Sequence, residues 1–324
     1  MWQYHWVKNT LKSVLPFPHQ LRYLKRRLGR SPHQIDEKSV YNGGFYQISL
    51  LADMGLDLRG LDILEMGTGW CPVIPLMMRL AGARHVVLTD VHASLCLETL
   101  NTTVKFLLER KTDLSQRLGI TVAEIEDRLH IPQAGDFDAV IAEMGMTYAV
   151  PFDYKRSPVR VDAIISHTVL EHIPRQVIKT LMHDARRVLR PGGVISHGID
   201  HSDHRAIVDQ RLSQIDFLRY SDRMWKLFCV APQDYTNRLR HSEYVAMFKE
   251  AGFEIMFESA YPDATCREAS IPLAVRFQSM DLDDLATLWS VIVIRPDDPD
   301  RRMEGQQSRG TAPRQIPDRH PVHI

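Results

Sequence analysis

The run His197-Gly-Ile-Asp200-His201-Ser-Asp203-His204 places three imidazoles and two carboxylates within eight residues. Such a set can ligate a divalent ion, move a proton near neutral pH, or form an internal hydrogen-bond network. Proton transfer and ligand contact are the favoured reading. His197 and His204 then act as bases, Asp200 and Asp203 as ligand contacts, and no metal is expected. A second acid–imidazole pair, Glu171-His172, stands in Thr-Val-Leu-Glu-His-Ile-Pro, where a helix-start cap is the competing role. Farther on, Arg219, Tyr220, Trp225, Asn237, Arg238 and Arg240 mix guanidinium with aromatic rings. That chemistry recognises phosphate, carboxylate or sugar faces, unless the arginines pair with local acids.

A different chemistry is written at Glu65-Met66-Gly67-Thr68-Gly69-Trp70. Glycines there let the backbone turn tightly and approach a ligand closely. The Gly-x-Gly pattern is shared with nicotinamide enzymes, but Pro72 stands where their third glycine belongs. Glu65, two residues before the first glycine, would repel a pyrophosphate and attract a cationic amine or sulfonium. Asp90 ends the next apolar run, where an acid can accept hydrogen bonds from both ribose hydroxyls. A dinucleotide oxidoreductase is thus the disfavoured alternative.

These residues need a scaffold, and the chain alternates apolar runs with helical spacing. Short runs at 61–66, 85–90, 146–152, 161–166, 194–199, 253–259 and 288–294 read as strands. Helices are expected over 73–82, 93–110, 175–189 and 241–253, with helical insertion over 111–145. In the third of these, Val177, Leu181, Ala185 and Val188 form the expected buried face, and Arg-Pro-Gly-Gly stops the helix. Alternation of this kind means an α/β fold with a mostly parallel sheet covered on both faces, and ligands beyond the carboxyl ends of its strands.

Composition narrows the function. The 324 residues carry 40 Lys+Arg against 40 Asp+Glu. Zero net charge disfavours a whole-chain grip on nucleic acid. The four cysteines form no Cys-x-x-Cys pair, which fits a reducing, cytoplasmic setting. No signal-peptide core or membrane span is visible. Residues 1–30 are basic and aromatic-rich, which suits a solvated helical cover over 1–58 or peripheral contact with an anionic membrane. The polar stretch 296–324 reads as a disordered tail.

Four motifs stand together in order: ILEMGTGW, VVLTD, DAIISHTVLEHI and VLRPGGVIS. In this combination the chain resembles class I S-adenosylmethionine (SAM)-dependent methyltransferases over about 60–260. SHGIDHSDH, FLRYSDRMWKLF and NRLRHSEY add a likeness to a bacterial group, many of unassigned acceptor, linked with surface glycans or secondary metabolites. The resemblance implies a Rossmann-like seven-stranded sheet over 59–295, with helices on both faces and an acceptor lid at about 197–240 after strand five. It implies that Glu65, Gly67 and Gly69 line the methionine portion of SAM, with Thr68 beside them, and that Asp90 holds the ribose. Phe152 and Asp153 would meet the adenine; Ser166 and His167 would face the methyl group. The run Ser166-His167-Thr168-Val169 replaces an Asn-Pro-Pro-Tyr-like motif, which disfavours amide or adenine methylation. The expected acceptor is a small molecule, a glycan or a lipid-linked intermediate, methylated on oxygen with His167, Glu171, His197 or His204 taking the proton. C- or N-methylation of a secondary metabolite, and a SAM-binding protein without turnover, are the alternatives.

Overall fold

The computed structural model describes Ile35 and residues 41–133, 135–229 and 235–297. The basic arm and all but the first two residues of the polar tail lie outside the described residues. Seven strands form one sheet: β1 (Asp62–Met66), β2 (His85–Thr89), β3 (Met146–Ala149), β4 (Val161–His167), β5 (Leu189–Asp200), β6 (Phe253–Pro262) and β7 (Thr287–Pro296). Their order is β3-β2-β1-β4-β5-β7-β6. The first five pair in parallel, and β7 runs antiparallel to both β5 and β6. Central strands such as β1, buried from its second residue onward, are nearly continuous apolar runs because both sheet faces are covered.

One face packs against α1 (Asn42–Asp53), α2 (Val73–Leu80), α3 (Leu97–Leu108) and three short helices in the insertion: α4 (Lys111–Leu118), α5 (Val122–Arg128) and α6 (Phe137–Glu143). The opposite face packs against α7 (Arg175–Ala185). After β5 come α8 (His204–Val208) and α9 (Asp222–Phe228), then α10 (His241–Glu250), which joins α7. Between β6 and β7 lie α11 (Ala264–Glu268) and α12 (Leu282–Ala286). A separate apolar cluster of Ile215, Phe217, Leu218, Trp225, Cys266, Phe277 and Leu285 joins this segment to the section after β5. The section after β5 therefore packs against a distant stretch of chain, between β6 and β7, that pattern reading did not connect with it. No helix among the described residues is long and apolar enough to cross a membrane.

Three expectations need correction. Helix α7 ends at Ala185, and Arg-Pro-Gly-Gly lies inside β5, not at a helix stop. The β4–β5 register shifts between Val161 and Ala163, and an irregularity of that kind admits Pro and Gly within a strand. The buried face of α7 is Ile178, Met182 and Ala185, while Val177 is exposed. Both series satisfy helical spacing, so only packing against α10 and the sheet chooses between them. Finally, β5 continues through Asp200, so His197 lies in the sheet and not in a lid.

Candidate cofactor and acceptor site

Strand β1 delivers Glu65 to the sheet interior, opposite Leu88 of β2 and Ile165 of β4. The chain then turns through Gly67 (φ +78°) and Gly69 (φ +65°), a region side chains rarely adopt. The Gly67 and Thr68 N–H groups donate to the Thr89 carbonyl at 2.8 and 3.0 Å. The Gly69 N–H donates to Asp90 Oδ2 at 2.8 Å, and the Val91 N–H to Asp90 Oδ1 at 2.6 Å. Asp90 thus fixes the turn as well as standing at the end of β2. A Cβ on Gly67 would lie 2.6 Å from Val169 Cγ2, so the turn is pressed against the segment after β4.

The Glu65 carboxyl is buried, and its Oε2 has no hydrogen-bond partner among the described residues. Burial pushes its pKa up to about 8; the nearby Thr68 hydroxyl opposes that shift and the Asp90 charge adds to it. An unpartnered acid in this setting is a standing attraction for a cation. Asp153 is exposed on the loop after β3, where it accepts the Lys155 N–H at 3.0 Å. Phe152 packs edge-on against Tyr154 at 4.7 Å, and the Tyr154 hydroxyl lies 3.4 Å from that of Thr89. That loop is therefore anchored beside the end of β2.

The ends of β4 and β5 place Ser166 and His197 in register, with Ser166 Oγ 2.7 Å from His197 Nδ1. His197 is fully buried and stacks on Phe248 of α10 at 5.3 Å. Burial lowers its pKa to about 3, so the expected base near neutrality is a neutral, sealed imidazole that fixes Ser166. His167 faces the other side of the sheet, 4.9 Å from Trp289, and a Cβ on Gly43 of α1 would overlap its ring. Helix α1, within the expected cover, thus reaches the end of β4 through a glycine that lets it close on His167. From the same helix Gln47 Oε1 accepts the Ser196 hydroxyl at 2.6 Å, which sequence reading did not single out.

Tertiary structure assembles a second set. Glu171 and His172 form a 3₁₀ turn (Leu170–His172) after β4, and His204 opens α8 after β5. Asp200 Oδ2 lies 3.1 Å from His204 Nε2, and the His172 and His204 rings are 5.1 Å apart. The Glu171 carboxyl is buried, and neither oxygen has a hydrogen-bond partner among the described residues. Burial, then the nearby Asp200 charge, raises its pKa well above the usual carboxylate value. Burial opposes protonation of His204, but Asp200 outweighs it and the pKa rises. His172 moves the other way, chiefly through burial.

Most other residues expected at the acceptor instead hold the section after β5 together. Asp203 pairs with Arg205 Nη2 at 2.6 Å and accepts the Arg205 N–H at 3.0 Å. Arg238 donates to the Phe217 and Tyr220 carbonyls and to Asp222. Trp225 is buried and donates to the Thr236 carbonyl at 2.8 Å. Asn237 Nδ2 donates to the Leu170 and Ile173 carbonyls at 2.7 and 2.8 Å, clasping the turn that carries Glu171. The partly exposed Arg219 pairs with the buried Asp216, and Tyr220 stacks on Trp225 at 6.4 Å. His201 bridges the Leu239 carbonyl and Ser290. The competing assignment, arginines paired with local acids, therefore describes this section.

No family model and no curated protein matches the chain. Among solved structures, magnesium protoporphyrin IX methyltransferase from Synechocystis with bound S-adenosylhomocysteine aligns at 12% identity and TM-score 0.45, over 87% of this chain and 97% of that one. The same enzyme with SAM bound gives TM-score 0.43 at 12% identity, over 87% and 94%. A SAM-dependent methyltransferase from Mesorhizobium loti aligns at 14% identity and TM-score 0.43, over 77% and 97%. The seven-stranded order β3-β2-β1-β4-β5-β7-β6, with β7 alone reversed and helices on both faces, is the Rossmann-like sheet expected from the sequence.

Proposed function

We propose that this protein is a SAM-dependent methyltransferase acting on oxygen of a small-molecule, glycan or lipid-linked acceptor. The observation that carries the cofactor assignment is Glu65: a buried carboxyl with an unpartnered oxygen beneath a glycine turn and beside Asp90. A ligand with a cationic amino-acid head and a ribose fits that set of groups. SAM supplies a methyl on a cationic sulfur and leaves as S-adenosylhomocysteine. Glu65 would meet the cationic head, Gly67, Thr68 and Gly69 would let the backbone approach it, and Asp90 would accept from the ribose. Phe152 and Asp153, beside the end of β2, remain the proposed adenine contacts, and Ser166 and His167 line the crevice.

The acceptor is assigned to the Glu171, His172, Asp200 and His204 group. Val169, which touches Gly67, lies two residues from Glu171, so this group adjoins the cofactor turn. Holding an acceptor oxygen there, aligned with the donor, and taking its proton is what methyl transfer to oxygen requires.

Glu65→Gln tests the cofactor half. With a folded-state pKa of about 8, Glu65 is largely protonated at pH 7 in the free protein. Pairing with a cation must expel that proton, so SAM affinity rises as pH increases toward 8, and calorimetry in buffers of different ionisation enthalpy detects the release. Because the folded-state value is raised, Glu65 reduces stability progressively as pH climbs from about 4 to 8. Glu65→Gln therefore raises the melting temperature at pH 7 by a few degrees, weakens SAM severalfold and abolishes proton release. Unchanged SAM affinity in the variant would remove Glu65 from the cofactor site.

A further inference from the structure

Resting on the methyltransferase reading, we propose that Glu171, His172 and His204 bind one divalent transition-metal ion, which holds the acceptor oxygen. Each offers one ligand atom, and the three atoms lie within 4.8 Å of one another. Ligand bonds of about 2.0–2.2 Å place ligand atoms about 3–4 Å apart, so small side-chain rotations close the set. The donors are separated in sequence and converge only through the fold: two from the turn after β4, one from the start of α8.

The second observation is Glu171 itself. It is 3% exposed, and neither carboxylate oxygen has a hydrogen-bond partner among the described residues. Burying a carboxyl this way is costly without a counter-charge, and a cation between the two imidazoles supplies one. Both rings are also prepared as ligands. His172 Nδ1 lies 2.9 Å from the Tyr235 carbonyl, which can only accept, so Nδ1 carries the proton and Nε2 keeps its lone pair. That Nε2 lies 4.0 Å from Glu171 Oε1. His204 Nε2 is held by Asp200 at 3.1 Å, the carboxylate-behind-imidazole arrangement typical of metal-bound histidine.

The mount is rigid on one side and open on the other. Asn237 clasps the turn through the Leu170 and Ile173 carbonyls, and its own N–H donates to the Glu171 carbonyl at 2.8 Å. The His172 and His204 side chains keep 39% and 30% of their exposure, which leaves room for a further ligand. Three protein ligands with an open position characterise catalytic rather than structural sites. Two imidazoles and one carboxylate favour zinc, manganese, iron or cobalt over the all-oxygen sites of magnesium and calcium.

The test is titration of chelator-treated protein with Zn²⁺ by calorimetry and with Co²⁺ by visible absorption, with SAM affinity measured alongside. One equivalent of ion per chain is expected. Glu171→Gln and His172→Ala should each weaken it by about tenfold or more while both variants stay folded and SAM affinity holds. Absence of saturable one-equivalent binding, or binding unchanged in both variants, overturns the proposal and leaves His204 with Asp200 to take the acceptor's proton. Because SAM affinity is measured separately, failure to bind SAM in either metal state counts against the cofactor reading, while the ion stoichiometry still decides this one.

Discussion

Where β1 ends, a buried carboxyl keeps one oxygen without a hydrogen-bond partner among the described residues, while in the section after β5 Asp203, Asp216 and Asp222 all meet arginines. Both regions look chemically loaded in the sequence. Only the first keeps its chemistry available. Glu65 bears a desolvation penalty that the Thr68 hydroxyl offsets only in part, and that is how a binding site differs from a structural network. Arg238 and Asp203 are as buried as Glu65, yet their charges are met by partners supplied by the chain. The Glu171 turn belongs with the first region, although it lies at the edge of the second.

Substitutions should separate the two kinds of region. The largest effect is expected at His204. Its replacement by Ala should lower methyl transfer from labelled SAM into a cell extract by about 10²-fold or more, whether the ring ligates the ion or takes the acceptor's proton itself, with SAM affinity intact. Loss of SAM binding instead would move the α8 start into the cofactor pocket or the fold.

Asp203→Ala should do the reverse. It removes the bidentate partner of Arg205, and breaking a buried pair destabilises by about 3 kcal/mol. Chemical denaturation should show that loss, and SAM affinity in the folded protein should not change. A stable variant with impaired turnover would restore Asp203 to the acceptor site.

Asp90→Ala combines a ligand contact with a loop contact. Losing acceptors for two ribose hydroxyls costs about 1–3 kcal/mol, or about tenfold or more in SAM affinity at about 1.4 kcal/mol per decade. Because Asp90 also holds the Gly69 N–H, Asp90→Asn should recover part of this by keeping one acceptor for the turn. If both variants bind SAM like the parent protein, the ribose assignment is wrong.

Arg219→Ala marks the small end. Its guanidinium is more than a third exposed, and its buried partner Asp216 keeps Arg205 at 3.2 Å, so the loss should be no more than about 1 kcal/mol. Neither melting temperature nor turnover should change measurably. A clear loss of turnover would show that Arg219 reaches the acceptor after all.

The sequence by itself determined the glycine turn after β1 and the acids beside it. The Gly67-Thr68-Gly69 turn, its preceding acid and Asp90 are close in sequence, and their roles depend on local geometry: a strand end, a positive φ and a short parallel crossover. The alternation of apolar runs likewise specified the parallel sheet and most of its strands. Tertiary structure decided the rest, because burial and partnership are not local properties. His197 and His204 read alike in one short run, yet the sheet seals one against Phe248 and leaves the other half-exposed beside Asp200. Glu171 and His204 acquire a shared chemistry only because β4 and β5 are neighbours, and their strand ends bring together residues more than thirty positions apart. The arginines after β5 look ready for a ligand until the fold supplies carbonyls and carboxylates to pair with them. A charge becomes functional or structural according to what the folded chain places next to it, and residue type and spacing do not contain that information.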